Sequence, residues 1–178
     1  VSGRVIILPM MNMPAFTAGR RCSPLDGGNM NRSFPGRPDG TVTQKIAHYI
    51  ASELVPLADV VLDYHSGGRT LDFLPFAAAH ILPNKKQEAA CMEAMQAFNA
   101  PYSMKMLEID AVGMFDTEVE EQGKVFVTTE LGGAGNSTAK AVAIARKGAR
   151  STLSPAGTTD GEAEGAHMVS ADSPRART

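Results

Sequence analysis

This chain of 178 residues has few cysteines, a net charge close to zero and no long apolar run. Its two cysteines, Cys22 and Cys91, lie far apart, which argues against a disulfide scaffold and favours a reducing, cytoplasmic location. The net charge of −2 provides no broad positive surface for nucleic acid. The longest apolar runs, such as Val5–Met11, are far shorter than the roughly 18 residues that a membrane-spanning helix needs. We therefore expect an ordinary globular protein that binds neither nucleic acid nor membrane.

Strand-like and helix-like segments alternate along the chain. Apolar runs rich in β-branched residues predict strands at Val5–Leu8, Val60–Tyr64 and Lys124–Thr129, and a further strand is predicted at Tyr102–Leu107. Capping residues and periodic apolar positions predict helices that open at Thr41, run from Asn84 to Asn99, and run from Ser137 to an end at Gly148. Such alternation implies parallel crossover connections, so the predicted fold is an α/β three-layer sandwich with a mainly parallel sheet.

Two segments carry little regular pattern. Met10–Gly40 is rich in Asn, Pro, Gly, Arg and Ser, and it predicts a loop of a length that is usually functional or disordered. The chain beyond Gly148 holds few large apolar side chains, so it cannot bury enough surface to order itself. We expect one domain over residues 1–148 and a weakly ordered tail over residues 149–178.

Polar residues that leave the predicted strands are the first candidates for chemistry, because ligands gather at the carboxyl ends of parallel strands. These residues are Asn12, His65 and Glu130. His65 follows Asp63 at the spacing that places both side chains on one strand face, as in a metal-binding histidine with its carboxylate partner; the alternative is a turn histidine bonded to backbone. Glu130 suits a general base. Its alternatives are a cap on the following glycine turn or a pair with Arg32.

The most distinctive string is Asn29–Gly36, which reads Asn-Met-Asn-Arg-Ser-Phe-Pro-Gly. Its adjacent Asn31 and Arg32 can present a carboxamide and a planar guanidinium to a carboxylate. Arg20 and Arg21 lie just upstream and can add a second guanidinium. The alternative interpretation is a surface loop with solvated arginines.

Three motifs in a fixed order resemble the succinylglutamate desuccinylase and aspartoacylase family. They are Asn-Met-Asn-Arg-x-Phe-Pro-Gly, Asp-Tyr-His-Ser-Gly-Gly and Thr-Thr-Glu-Leu-Gly-Gly, and the resemblance extends from about residue 3 to residue 150. It implies a carboxypeptidase-like α/β fold, a Zn²⁺ cofactor, and hydrolysis of the amide bond of a small N-acyl amino acid. It also implies that His65 is the third zinc ligand, Asp63 its carboxylate partner and Glu130 the general base.

The resemblance also implies roles for the arginine-rich loop. Asn31 and Arg32 match the pair that holds the substrate carboxylate, and Arg21, or else Arg20, matches the arginine that polarises the scissile carbonyl. Where the family usually has Asp-Leu-Asn-Arg, this chain has Asn29 in the first position.

A cluster of acidic residues precedes the expected general base. Family members that act on acidic substrates carry an arginine about ten residues before that base, whereas the stretch here holds Asp116, Glu118, Glu120 and Glu121, with Lys124 as its only cation. This difference favours a substrate with a cationic side chain, such as N-acetyl-2,4-diaminobutyrate. The alternative is a solvated acidic loop.

The family's first two zinc ligands come from a His-x-x-Glu motif, and none of the four histidines here is followed by Glu three residues later. We expect that motif before Val1, so the chain would lack the first strand or strands of the sheet, and the family's C-terminal β-domain as well. Such a partial domain should bind zinc poorly, be inactive alone, and associate with a second copy through an exposed edge beside Val5–Leu8. Alternatively, a loop that uses Asp26 or Cys22 completes the site, or the chain is a carboxylate-binding module without metal.

Overall fold

A computed structural model describes residues 3–153 and the backbone of residues 167–170. The chain folds into two compact units. Of the described residues, the first unit contains Leu62–Glu108 and those from Val125 onward, and the second contains those up to Val61 together with Ile109–Lys124. The strands are β1 (Val60–His65), β2 (Asp72–His80), β3 (Tyr102–Met106), β4 (Val125–Gly133) and β5 (His167–Ser170). The α-helices of the described residues are α1 (Met13–Thr17), α2 (Val42–Tyr49), α3 (Lys85–Phe98), α4 (Phe115–Glu121) and α5 (Ala139–Leu153).

The strands form one mixed sheet in the order β1, β4, β2, β3, β5. Strand β3 runs parallel to both β2 and β5, whereas β2 and β4 are antiparallel. Helices α3 and α5 pack against each other and against β4. Their shared core includes Ala77, Cys91, Met95, Phe98 and Val127, all fully or almost fully buried. The α/β class predicted from the sequence is confirmed.

Strand β2 was not expected from the sequence. It contains Pro75 and the run Ala77–Ala79, neither of which favours a strand by local propensity. Between the pairs Phe73–Gly132 and Phe76–Glu130, two residues of β2, Leu74 and Pro75, lie opposite one residue of β4, and this bulge accommodates the proline in an internal strand. Pairing with β3 and β4 on both sides outweighs the weak local signal.

Helix α5 does not end at Gly148 as predicted, but continues to Leu153. A Cβ at Gly148 would lie 2.5 Å from Cε1 of the fully buried Phe98, so the glycine lets the Phe98 ring pack directly on the backbone of α5. The glycine therefore serves packing and not termination. The expected weak order of the tail falls mainly on residues 154–166 and 171–178, which lie outside the described residues.

In the second unit, helix α2 begins where the sequence predicts. The Thr41 hydroxyl accepts a hydrogen bond from the N–H of Gln44, and the Gln44 side chain accepts one from the N–H of Thr41. A π-helical turn over Ile50–Leu54 and a 3-10 turn over Val55–Leu57 extend the helix to the expected stop near Pro56. The capping box is thus confirmed.

The predicted buried strand at Val5–Leu8 is wrong. These residues form no strand, and Ile7 is 76% exposed. A strand is stabilised by hydrogen bonds to a neighbouring strand, and this segment pairs with no strand of the described chain. The composition of Val5–Leu8 is thus typical of a strand, but no neighbouring strand is present in the described chain to pair with it. Within the described part of the chain, every helix is too short or too polar to cross a membrane.

Candidate functional site

His65 and Asp63 form a hydrogen-bonded pair in the first unit. Both belong to β1 with one residue between them, so their side chains leave the same face of the strand. The ring atom Nε2 of His65 lies 2.7 Å from Oδ2 of Asp63. The histidine side chain is 37% exposed and the aspartate 15%. A carboxylate that fixes the tautomer and orientation of an accessible imidazole is the usual environment of a metal-binding histidine.

Glu130 lies inside β4, opposite Phe76 of β2, and not at the end of a strand as the sequence suggested. Its Oε2 atom is buried and has no hydrogen-bond partner among the described residues. Burial raises the pKa of the Glu130 carboxyl, His65 acts to lower it, and Asp63 adds a further rise. A half-buried carboxylate with a raised pKa is a better proton acceptor than an exposed one.

Two glycine turns next to these residues are joined through their backbones. The N–H of Gly67 donates to the carbonyl of Gly132 (2.9 Å), and the N–H of Gly135 donates to the carbonyl of Gly68 (2.7 Å). A side chain at Gly133 would collide with the carbonyl of Leu71. One glycine of each pair, Gly67 after His65 and Gly133 after Glu130, is therefore needed for close backbone approach, whereas Gly68 and Gly132 have space around them but a positive φ that favours glycine.

The loop around Asn31 and Arg32 belongs to the second unit and forms a 3-10 turn over Met30–Arg32. The side-chain oxygen of Asn29 caps this turn by accepting a hydrogen bond from the N–H of Asn31 (3.2 Å). Aspartate and asparagine cap such a turn about equally well. The replacement of the family's usual aspartate by Asn29 therefore preserves the turn.

Asn31 contacts the first residue of α4, and Arg32 contacts the segment just before this helix. Oδ1 of Asn31 accepts a hydrogen bond from the N–H of Phe115 (2.8 Å). Nη1 of Arg32 donates to the carbonyl of Asn31 (2.6 Å), and Nη2 lies 3.7 Å from Oδ2 of Asp110. Because the Arg32 and Asp110 side chains are 42% and 68% exposed, this ion pair is weak and the guanidinium stays accessible.

Asp26 anchors the same loop to helix α2. One of its carboxylate oxygens accepts hydrogen bonds from the N–H of Gly28 and the hydroxyl of Thr43, and the other accepts from the N–H of Thr43 (2.7 Å). These hydrogen bonds, led by the one from the Thr43 backbone, hold the pKa of Asp26 well below its usual range. Asp26 thus has a structural role, which disfavours the alternative that it supplies a metal ligand.

Arg20 and Arg21 follow helix α1 and are exposed. The N–H of Arg20 donates to the carbonyl of the buried Ala15, which fixes the backbone at this point. Neither guanidinium forms a hydrogen bond with a described residue. The assignment of Arg21, or else Arg20, to the scissile carbonyl stays a prediction.

A buried histidine was missed by sequence reasoning. His80 ends strand β2 and is completely buried, and its Nε2 atom lies 3.6 Å from Oε2 of Glu108, just after β3. Its acidic partner comes from the end of the neighbouring parallel strand, so the local sequence around His80 does not show it. The signal that could have revealed this position is the apolar run Phe76–Ala79, which forms a strand that ends at His80.

Glu88 of α3 was also overlooked. It accepts hydrogen bonds from the N–H of Leu82 (2.9 Å), from Nζ of Lys85 (2.7 Å) and from Nζ of Lys105 (2.7 Å). Lys105, followed by Lys85 and the Leu82 N–H, lowers the pKa of Glu88 to about 2. This network joins the first turn of α3 to strand β3 and is structural.

Comparison with known proteins shows the family of this chain. Residues 1–155 match the family described as the succinylglutamate desuccinylase/aspartoacylase catalytic domain. The chain belongs to this family.

Individual proteins of known name or structure are also similar to this chain. The chain is 59% identical, over 91% of its length, to the N-alpha-acetyl-L-2,4-diaminobutyric acid deacetylase of Halomonas elongata, of which it covers 47%. It is similar to a succinylglutamate desuccinylase from Silicibacter sp. TM1040 (60% identity, TM-score 0.85, 96% of this chain and 52% of that one). The product-bound ectoine utilization protein EutE (DoeB) from Ruegeria pomeroyi gives 62% identity and a TM-score of 0.83, with coverage of 92% and 50%. The chain thus spans about half the length of these relatives.

Proposed function

We propose that this chain supplies the general base and the substrate-binding pair of a zinc-dependent hydrolase that removes the acetyl group from N-alpha-acetyl-L-2,4-diaminobutyrate. The Halomonas relative is named for this deacetylation. The Ruegeria relative is named for ectoine utilization, so we place the reaction in ectoine breakdown. The observation that carries the proposal is the His65–Asp63 pair, which accompanies the half-buried carboxyl of Glu130 in one unit.

The residues of the first unit fit a zinc site. His65 would be one ligand, and Asp63 would hold its ring in the orientation and tautomer that a metal requires. Bound zinc would supply a water of lowered pKa and would polarise the acyl carbonyl. Catalytic zinc normally has three protein ligands, and the chain has no His-x-x-Glu motif for the other two. We therefore propose that the 178-residue chain alone holds zinc weakly and is inactive.

Glu130 would take a proton from the attacking water and pass it to the leaving amine. Its raised pKa brings the carboxyl closer to the pH at which a general base must both accept and release a proton. The buried Oε2 atom, without a partner in the described chain, retains its capacity to accept a hydrogen bond.

Asn31 and Arg32 would bind the substrate carboxylate, since a guanidinium and a carboxamide offer several donors to one carboxylate group. The acidic stretch forms helix α4 and not the loop considered as its alternative. Glu118 and Glu121 of this helix line a cleft of about 240 Å³ together with Phe34 and Met114. Among the described residues, the two glutamates are the only charged side chains that line this cleft, and carboxylates favour a substrate with a short cationic side chain.

Metal analysis and hydrolysis assays test this function. Measurements on the isolated chain should find little zinc and no deacetylation, and a full-length relative should prefer N-acetyl-2,4-diaminobutyrate to N-acetyl-aspartate. Stoichiometric zinc in an active 178-residue monomer would refute the proposal that this chain alone lacks a complete zinc site. Preference for the aspartyl compound would refute the proposal that the substrate has a cationic side chain. If a full-length relative binds carboxylates and never requires metal, the alternative of a non-catalytic binding module is favoured.

A further inference from the structure

The segment Asp110–Phe115 contacts the loop Asn31–Phe34 at several independent places within the second unit. The N–H of Phe115 donates to Oδ1 of Asn31, and the N–H of Phe34 donates to the carbonyl of Gly113 (3.1 Å). The rings of Phe34 and Phe115 pack with their centroids 4.8 Å apart. The sequence separation is about 80 residues, so the contact is a long-range one that fixes the loop from outside.

The hydrogen bond from Phe115 determines which end of the Asn31 carboxamide is presented. A backbone N–H can only donate, so the Asn31 atom that it contacts must be the oxygen. The amide nitrogen, Nδ2, is then the opposite end, and it forms no hydrogen bond with any described residue. Asn31 is therefore oriented as a donor before any ligand arrives, which is the orientation that a carboxylate requires.

Gly113 allows this segment to approach Arg32 closely. Its φ of +74° favours glycine, and a Cβ there would lie 2.6 Å from the carbonyl oxygen of Arg32 and 2.7 Å from its carbonyl carbon. These are backbone atoms, which cannot rotate away as a flexible side chain could. Any side chain at position 113 must therefore move the Arg32 backbone or the segment itself.

We propose that Asp110–Phe115 is the positioning element of the carboxylate-binding pair, with Gly113 setting the place of Arg32 and the Phe115 N–H setting the direction of Asn31. This inference rests on the proposed function, in which Asn31 and Arg32 bind the substrate carboxylate. Gly113 and Phe115 are positioning residues, since they act through Asn31 and Arg32.

The chain offers a matched control for Gly113. Gly123 has the same φ of +74° and lies in the same unit, but a Cβ at Gly123 would have no neighbour within 4 Å. Gly123→Ala therefore imposes the backbone strain alone, whereas Gly113→Ala adds the collision with Arg32. Calorimetric titration of each 178-residue variant with N-acetyl-2,4-diaminobutyrate, alongside thermal unfolding, separates positioning from stability. We expect Gly113→Ala to bind about 10-fold to 100-fold more weakly than Gly123→Ala, because a displaced Arg32 loses charge-assisted hydrogen bonds to the ligand carboxylate, and the loss of one such bond has an effect of about that size.

Substitution of Asn31 provides a test that does not depend on the stability of a glycine variant. Asn31→Asp keeps an oxygen for the Phe115 N–H and replaces the donor by a carboxylate, whereas Asn31→Ala removes both. We expect Asn31→Asp to unfold at the wild-type temperature and to lose at least tenfold in affinity. Equal affinities of Gly113→Ala and Gly123→Ala, or wild-type affinity of Asn31→Asp, would overturn this inference alone. A wild-type chain that does not bind the compound would refute the proposed carboxylate site, and this inference with it.

Discussion

Replacement of Gly148 by alanine should destabilise the protein, although the same change inside a helix normally has the opposite effect. Gly148 lies within α5, and alanine is the better helix former there by about 1 kcal/mol. In this structure, however, the added Cβ would overlap the ring of Phe98, with Cε1 and Cε2 both at 2.5 Å. The sign of the effect depends on whether packing or propensity is larger.

The geometry indicates that packing is larger. Ordinary carbon contacts are about 3.5–4.0 Å long, so the ring must move by about 1 Å or more. Phe98 is completely buried with Met95, Cys91 and Val127, which leaves the ring little room. Overpacking of this kind costs about 1–3 kcal/mol, and subtraction of the propensity gain leaves a net loss of up to about 2 kcal/mol.

Urea unfolding of the 178-residue chain, followed by circular dichroism, measures this loss. The control is Gly148→Ala in a Phe98→Leu background, where the shorter side chain opens space and the alanine should be neutral or stabilising. The coupling between the two positions should be about 0.5–3 kcal/mol. A wild-type background in which Gly148→Ala raises the free energy of unfolding by about 1 kcal/mol would refute the packing argument.

Three further predictions concern charged residues. In a full-length enzyme with this site, Glu130→Gln should lower kcat by about 10²–10⁴ with zinc retained, and loss of zinc with full residual activity would contradict the role of general base. Arg32→Lys should raise KM strongly because an ammonium group cannot replace a bidentate guanidinium, and an unchanged KM would remove Arg32 from the site. Glu88 has a pKa lowered from 4.5 to about 2, so its ionic network stabilises the fold fully above pH 4.5 and is lost as the pH falls through 2. The stability difference between wild type and Glu88→Gln should shrink across that range in acid unfolding experiments; parallel curves would contradict the network.

Local sequence patterns predicted those elements whose signals are local. Helix α3 begins after its predicted cap, Asn84, whose side chain accepts hydrogen bonds from two N–H groups of the first turn. Helix α4 escaped notice because Met114, at its N-cap position, provides no side-chain hydrogen bond. Its first N–H is satisfied by Asn31, a residue 84 positions away. Strand β2 likewise depends on partners that are distant in sequence.

The candidate site shows the same division between local and long-range information. The spacing of Asp63 and His65 predicted that the two side chains share a strand face, and their 2.7 Å contact confirms it. The sequence motifs could not show that the Asp26 carboxylate is occupied by hydrogen bonds from Thr43 of α2, since Thr43 lies 17 residues further along the chain. Nor could it show the buried pairing of His80 with Glu108, which follows from the order of strands.

The anchoring of the long loop by Asp26 has a thermodynamic consequence for ligand binding. The loop is held in place by three hydrogen bonds to Asp26 and by the turn that Asn29 caps. Gly36 also packs directly against the backbone of α2. The conformational entropy of ordering this segment is therefore lost during folding and not when a ligand arrives. A carboxylate that reaches Asn31 and Arg32 should bind with only a small change in heat capacity and with little rearrangement of the backbone, as expected of a rigid receptor.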